Sequence, residues 1–225
     1  MSKLGTWAVV PVKSFATSKS RLADLWDTHD RAALSAAMLR DVLSALCAVS
    51  ELAGISVVSA EPEVARIEQE LGAEAIHDTA EIGPSAAVAA VARSLAHQGA
   101  RTMLAVMGDV PLINAQDVGQ ILDCASGDAS MAFVPARDGI GCNAALISPP
   151  DLMPLTFDGR SFTRLRALAE SHVEITHVLD LPDVALDIDD RADVVEFFCR
   201  KGPPSHTRAF VETVFPGSAE FGLAS

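Results

Sequence analysis

Apolar and polar positions along this chain switch repeatedly between two periods. Residues 6–12 form a short apolar run rich in β-branched side chains, which predicts a buried strand. Leu34, Met38, Val42 and Leu46 recur every fourth position, which predicts an amphipathic helix over 30–50, with Asp30 as the expected N-cap. The alternation continues with a strand at 54–59, a helix at 62–71 opened by Pro62 and closed by Gly72, and a short strand near 75–77. It then predicts an Ala-rich helix at 84–97, a strand at 102–107 and a helix at 115–125. Strands at 130–135 and 143–148, a helix at 161–171, an extended piece at 173–179 and a helix at 191–200 complete the series. Strands separated by helices imply an α/β fold: a Rossmann-like, mostly parallel sheet with helices on both faces, in a single domain. Residues 1–200 are expected to form it. Residues 201–225 read as a C-terminal extension, partly flexible or docked on another chain through Phe210, Val211, Val214 and Phe215, which makes a homodimer a candidate assembly.

Composition narrows the function. The chain has 225 residues, 49% of them hydrophobic, enough for one sizeable core. Its mean hydropathy is +0.28, which excludes disorder for most of it. A net charge of −13 and a pI near 4.7 exclude a duplex nucleic-acid binder and a protein held on an anionic membrane surface. Apolar runs stop short of the roughly 20 residues a membrane span needs, and no signal peptide is visible, so a cytoplasmic protein is expected. The four cysteines form no paired or zinc-binding spacing and read as reduced thiols. The charge is uneven: residues 1–40 carry six cations against three aspartates, a net of +3, so the rest of the chain carries −16.

In an open α/β sheet, ligands bind beyond the carboxyl ends of the strands. The loop after the first strand holds Lys13, Lys19 and Arg21 among serines and threonines, which suits a polyphosphate but lacks the Walker spacing. Asp109 directly follows a buried strand and is a candidate magnesium ligand. In Leu-Asp-Ile-Asp-Asp, residues 186–190, strand alternation would put Asp187 and Asp189 on one face, where two carboxylates repel unless a cation lies between them. Asp189 or Asp190 also fits the cap of the next helix. Cys142 and Asn143 follow two glycines at a turn where backbone can approach a ligand. No histidine stands beside Cys142 in a triad-like context, so a pocket-lining role is preferred to a nucleophile's. Ser161, between Arg160 and Arg164, could cap a helix or offer its hydroxyl to an anion. Taken singly, these features also fit a solvated basic loop, turn aspartates and ordinary caps.

Together the segments Trp-x-Val-Val-Pro-Val-Lys, Ser-Lys-Ser-Arg-Leu, Gly-Asp-Val-Pro-Leu, Gly-x-Gly-Cys-Asn-Ala-Ala-Leu, Arg-Ser-Phe and Leu-Asp-Ile-Asp-Asp resemble the CofC/FbiD guanylyltransferases of coenzyme F-420 biosynthesis, over about residues 6–198. The resemblance implies the MobA-like nucleotide-diphospho-sugar transferase fold. It implies magnesium-dependent transfer of GMP from GTP to 2-phospholactate, phosphoenolpyruvate or 3-phosphoglycerate, with release of pyrophosphate. Asp109, Asp187 and Asp189 match the family's metal-binding aspartates, with Asp109 and Lys13 as catalytic residues. Lys13, Lys19, Ser20, Arg21, Gly83, Ser85 and Gly108 fall on the nucleotide side, and Cys142, Asn143, Asp158 and Ser161 on the acceptor side. The chain departs from the family where Gly-Thr-Asn is usual (Gly141-Cys142-Asn143), where a Gly is usual (Asp158), where a His is usual (Leu165) and where Gly-Leu-Asn is usual (Gly83-Pro84-Ser85). These departures leave two alternatives open: a nucleotidyltransferase of this fold with another acceptor or base, or a catalytically weakened nucleotide-binding relative.

Overall fold

The first strand, β1 (Thr6–Pro11), is buried along nearly its whole length, and its side chains alternate between two cores. Ala8 and Val10 point to one face of the sheet, Trp7 and Val9 to the other. A strand buried on both faces needs neighbours on both edges and helices above and below, which is why its sequence is a continuous apolar run. A computed structural model describes residues 5–71, 74–77, 84–157, 160–174 and 176–215, without the side chains of 74–77 and 84.

Among the described residues seven strands line up in the order β3-β2-β1-β4-β6-β5-β7. They are β1, β2 (Leu52–Ser59), β3 (Glu74–His77), β4 (Thr102–Val106), β5 (Ser130–Pro135), β6 (Cys142–Ser148) and β7 (Thr176–Val178). β1 pairs in parallel with β2 and β4, β2 with β3, and β5 with β7. β6 alone runs antiparallel, between β4 and β5. The reason is local: six residues, 136–141, join β5 to β6, too few for a parallel crossover. At this turn Asp138 Oδ1 accepts from the backbone N–H of Ile140 (2.8 Å) and Gly141 (3.2 Å), and Gly139 takes a left-handed φ of 70°. Trp7 imposes a second glycine: a Cβ on Gly54 would lie 2.5 Å from the indole ring.

Helices α1 (Thr28–Cys47), α2 (Pro62–Leu71) and α4 (Ala115–Leu122) cover the Ala8 and Val10 face, and α3 (Pro84–His97) and α5 (Ser161–Ala169) cover the other. The four residues predicted as the buried stripe of α1 are fully buried. Its N-cap is Asp27 rather than Asp30. Asp27 is the extended residue, and its carboxylate accepts from the Asp30 N–H at 2.9 Å, so Asp30 lies inside the first turn. Gly72, read as the end of α2, lies outside the described residues.

The chain then adds α6 (Pro182–Ala185), α7 (Arg191–Cys199) and α8 (His206–Val214). α6 is too short to register as a period. α8 falls in the segment read as an extension, and it packs on α1 of its own chain. Val211 and Phe215 join Trp26, Leu34, Met38 and Phe197 in a third core. Trp26 meets Phe210 and Phe215 edge-on at 5.6 and 6.3 Å and donates its indole N–H to the Val214 carbonyl at 3.3 Å. Asp41, on the buried side of α1, accepts from the His206 and Thr207 N–H groups at 2.8 and 2.9 Å, satisfying two donors that the first turn of α8 leaves open. Of the side chains read as docking on another chain, Val211 and Phe215 are buried within this one, and Phe210 and Val214 are partly buried against the same core.

Trp26→Ala is expected to cost about 3–5 kcal/mol, the range for deleting a large buried aromatic. Removing residues 206–215 should destabilise the protein too, because both changes open the same core. Urea unfolding curves check this, and near-wild-type midpoints for either variant would count against α8 as part of the domain.

Candidate active site

β1 feeds β2 and β3 on one side of the sheet, while β4 lies on its other side, so connections leaving the carboxyl ends of β1 and β4 diverge. Such a divergence opens a crevice at the strand ends. The loop after β1 carries Lys13, Lys19, Ser20 and Arg21, and Met107-Gly108-Asp109 follows directly after β4.

The loop is held from three directions. Phe15 is buried beneath it. Glu61, at the end of the neighbouring strand β2, accepts from the Phe15 N–H (3.0 Å) and the Ser14 hydroxyl (3.1 Å). Ser18 shares a 2.8 Å hydrogen bond with Ser35 of α1. The chain then turns through Lys19 in a left-handed conformation (φ 52°, ψ 39°) into a 3-10 turn, Ser20–Leu22, anchored by buried Leu22. That turn puts the Lys19 side chain inside, only 6% exposed.

Lys19 Nζ donates to Asp109 Oδ2 at 2.6 Å and to Asp189 Oδ1 at 2.8 Å. Residues 186–189 form no strand, yet the alternation expected of one survives. Leu186 and Ile188 are fully buried, and Asp187 and Asp189 turn to the crevice. The Ile188 N–H donates to the Asp109 carbonyl at 3.2 Å, docking this segment on the β4 loop. Asp190 caps α7, as one of the two candidate caps was expected to do. Asp193 closes the capping box: its Oδ2 accepts from the Asp189 and Asp190 N–H groups, both at 3.0 Å, and its Oδ1 pairs with Arg137 at 2.6 Å.

Carboxylate oxygens of Asp109, Asp187 and Asp189 all lie within 4.8 Å of one another. Burial, then the charge of Asp109, pushes the Asp187 carboxyl up to about 6. Burial opposes ionisation of Asp189, but the charge and hydrogen bond of Lys19, with the charges of Arg21 and Lys13, together hold that carboxyl below its ordinary range. Burial would also lower Lys19, and Asp109 and Asp189 more than reverse this, keeping it an ammonium. Asp109 Oδ1 is buried and has no hydrogen-bond partner. An all-oxygen trio with one orphaned oxygen and one carboxyl strained toward protonation fits a hard divalent cation.

Two cavities meet here. One, of about 240 Å³, is lined by the loop residues Lys13, Ser18, Lys19 and Ser20, by Gly108 and by Asp109 and Asp189. The other, of about 180 Å³, is lined by Arg21, Gly141, Cys142, Asn143, Ser161 and Asp187. Lys13, Met107, Asp109 and Asp189 line both. Arg160 occupies the N-cap position of α5 without a side-chain cap bond, so Ser161 is the first helical residue rather than the cap. Ser161 is 1% exposed, and its buried hydroxyl has no partner. The Asn143 amide donates to the carbonyls of Val184 and Ala185 and to Asp187 Oδ1, at 3.0 to 3.1 Å, so its donors are spent on positioning Asp187. Burial raises the Cys142 thiol to about 12, and it lies 3.2 Å from the Ala144 carbonyl, which makes it a wall and not a nucleophile. Ser85 accepts from the Phe157 N–H at 3.1 Å and lines neither cavity. Leu165, where a His is usual, is buried core. Gly83 and Asp158 lie outside the described residues.

Glu61, Arg137, Asp193 and the positioning role of Asn143 escaped the sequence reading. The Asp190-x-x-Asp193 spacing is a visible capping-box signal; the others act across long stretches of chain and leave no local mark.

The raised Asp187 carboxyl gives a signed expectation. Its charge is a liability of the folded state that is full above about pH 6 and fades as pH falls from 6 toward 4. Asp187→Asn should therefore stabilise the cation-free protein near pH 8 by roughly 1–2 kcal/mol, with the gain shrinking toward pH 4. Chemical denaturation at the two pH values measures it, and equal stability at both would refute the assignment.

The chain matches the family described as "Guanylyl transferase CofC like" over residues 6–215. It is 34% identical over 216 residues to a phosphoenolpyruvate guanylyltransferase of Conexibacter woesei, covering 92% of this chain and 96% of that one. It is 32% identical over 193 residues to a 2-phospho-L-lactate guanylyltransferase of Methanocella arvoryzae, covering 85% and 79%. Among solved structures, a nucleotide-diphospho-sugar transferase fold from Desulfovibrio desulfuricans superposes with a TM-score of 0.76 at 14% identity, over 97% of this chain and 96% of that one, a likeness of fold alone. Among the described residues no helix is long and apolar enough to cross a membrane. The chain belongs to the CofC-like guanylyl transferases, a nucleotidyltransferase class of enzyme.

Proposed function

We propose that this protein transfers GMP from GTP to a small phosphorylated carboxylic acid of the phosphoenolpyruvate, 2-phospholactate or 3-phosphoglycerate type, as a step in coenzyme F-420 formation. The observation that carries this reading is the pair of cavities joined at Lys13, Asp109 and Asp189. One is walled by a cationic loop suited to a triphosphate. The other ends at an unpartnered serine hydroxyl on the first turn of a helix, suited to a small anion. The relatives named for phosphoenolpyruvate and for 2-phospho-L-lactate support the acceptor class.

In the proposed reaction an oxygen of the acceptor's phosphate attacks the α-phosphorus of GTP. A new oxygen–phosphorus bond forms, the bond from the α-phosphorus to its bridging oxygen breaks, and pyrophosphate leaves with that electron pair. Lys13 lies on the wall common to both cavities, where it balances negative charge brought from either side. Lys19 and Ser20 hold the triphosphate, Arg21 brings its charge to the second cavity rather than to the loop cavity, and Ser161 orients the acid. Magnesium held by Asp109, Asp187 and Asp189 would supply further positive charge against the phosphate oxygens. No enzyme nucleophile is required, in keeping with the inert Cys142 thiol. That thiol stands where the family usually has a threonine hydroxyl, so more of the acceptor's orientation falls to Ser161.

Pyrophosphate release from GTP, magnesium and a panel of phosphorylated acids tests the proposal. Asp109→Asn should lower turnover by about 100-fold or more while the fold survives. Ser161→Ala should raise KM for the acid and leave KM for GTP unchanged. Full activity in Asp109→Asn, or no turnover with any acid in the wild type, would overturn the reading.

A further inference from the structure

We propose that Lys19 is a resident counter-cation of the carboxylate trio, which holds Asp109 and Asp189 until a divalent cation displaces it and then passes to the nucleotide's phosphates. The inference rests on the reading above that Asp109, Asp187 and Asp189 take the cation. What is new is that the protein carries its own competitor for that place.

The geometry argues it directly. The ammonium touches two of the three carboxylates, at 2.6 and 2.8 Å, and does not bond the third. A cation that draws on all three must take oxygens from the two that Lys19 already bridges. Two positive charges sharing one small, half-buried group of carboxylates repel strongly, so occupation by the ion and by the ammonium is mutually exclusive. Lys19 also has somewhere to go. It lines the same cavity as Lys13, Ser18 and Ser20, at the head of the loop suited to phosphate, so a bound triphosphate offers it new oxygen partners within its own pocket. Its left-handed backbone, bracketed by the Ser18–Ser35 bond and buried Leu22, fixes where the side chain is rooted and leaves the four-carbon stem as the moving part.

Two consequences follow. In the free protein the ammonium keeps the carboxylates together, and cation affinity is weak. Once phosphate draws Lys19 away, the carboxylates are released for the ion, so nucleotide and cation each strengthen the other's binding by the same factor. The cation site is thereby closed to free ions and opened by substrate.

Manganese binding to nucleotide-free protein, followed by calorimetry or by electron paramagnetic resonance, tests this without turnover. Lys19→Met should bind the ion about 5- to 100-fold more tightly than wild type, the span of ordinary coupling energies. Lys19→Arg keeps a cation on both carboxylates and should stay near wild type. Equal or weaker binding by Lys19→Met overturns the proposal. Should Lys19→Met fail to fold, the wild type decides: manganese alone should speed reductive methylation of Lys19, resolved by peptide mass, and leave exposed Lys201 unchanged. Unaltered Lys19 labelling at saturating manganese would mean a permanent strut. The two readings fail differently. If Asp109→Asn abolishes manganese binding while Lys19→Met and wild type bind alike, the cation site stands and the counter-cation falls. If wild type and Lys19→Met bind no manganese at all, the cation site falls with it.

Discussion

Three carboxylates within 4.8 Å of one another cannot all be ionised in a half-buried crevice unless positive charge stands among them. Most of what is distinctive in this structure answers that constraint. Asp109 comes from the end of β4, and Asp187 and Asp189 come from an extended segment nearly 80 residues further on, which a backbone bond from Ile188 to Asp109 docks in place. Asn143 of β6 steadies Asp187, Asp193 of α7 ties down the backbone of Asp189 and Asp190, and Arg137 ties Asp193 to the β5–β6 turn. Lys19 supplies the charge. Without it Asp109 and Asp189 would face each other unbalanced.

The same constraint accounts for the loop after β1. A lysine in a left-handed conformation is unusual. It is sustained because Glu61, Ser35, Phe15 and Leu22 fasten the loop on both sides of it. The loop reaches the carboxylates only because β1 and β4 are adjacent and their connections part in opposite directions. The switch in strand order thus brings a basic segment and an acidic segment, far apart in sequence, to one place.

Much of this was legible in the sequence, and for a physical reason. A strand buried on both faces must be apolar throughout, so β1, β4, β5 and β6 declared themselves almost residue for residue. A carboxylate directly after such a strand lacks an easy structural excuse, which exposed Asp109, and the Leu-Asp-Ile-Asp alternation exposed Asp187 and Asp189 even though no strand forms there. What stayed hidden depends on contacts across the chain. The Lys19 bridges span 90 and 170 residues, and Asp41 reaches α8 across 165. The apolar residues of α8 looked like a docking surface because their partner, the Trp26 side of α1, is distant in sequence. A pattern reveals that a face is apolar, not what covers it.

The two halves of the crevice also differ in how strongly the protein has committed them. In the cavity beneath the loop after β1, Lys19 is bonded to two carboxylates and Lys13 lines the wall, while Arg21 lines the second cavity. The second cavity is charged as well: Lys13 and Arg21 line it together with Asp138 and the carboxylate trio, beside a few neutral groups. The Asn143 donors are spent on the fold, the Cys142 thiol is a poor donor, and Leu165 is core. Ser161, buried and unsatisfied at the head of α5, is a neutral group with unspent bonding capacity there. An unmade hydrogen bond in a buried place costs free energy until a ligand makes it. Under the proposed reading, acceptor choice would turn on how an acid meets the Arg21 and Lys13 charges among these carboxylates and satisfies the Ser161 hydroxyl, while the nucleotide would draw on a loop already fastened in position.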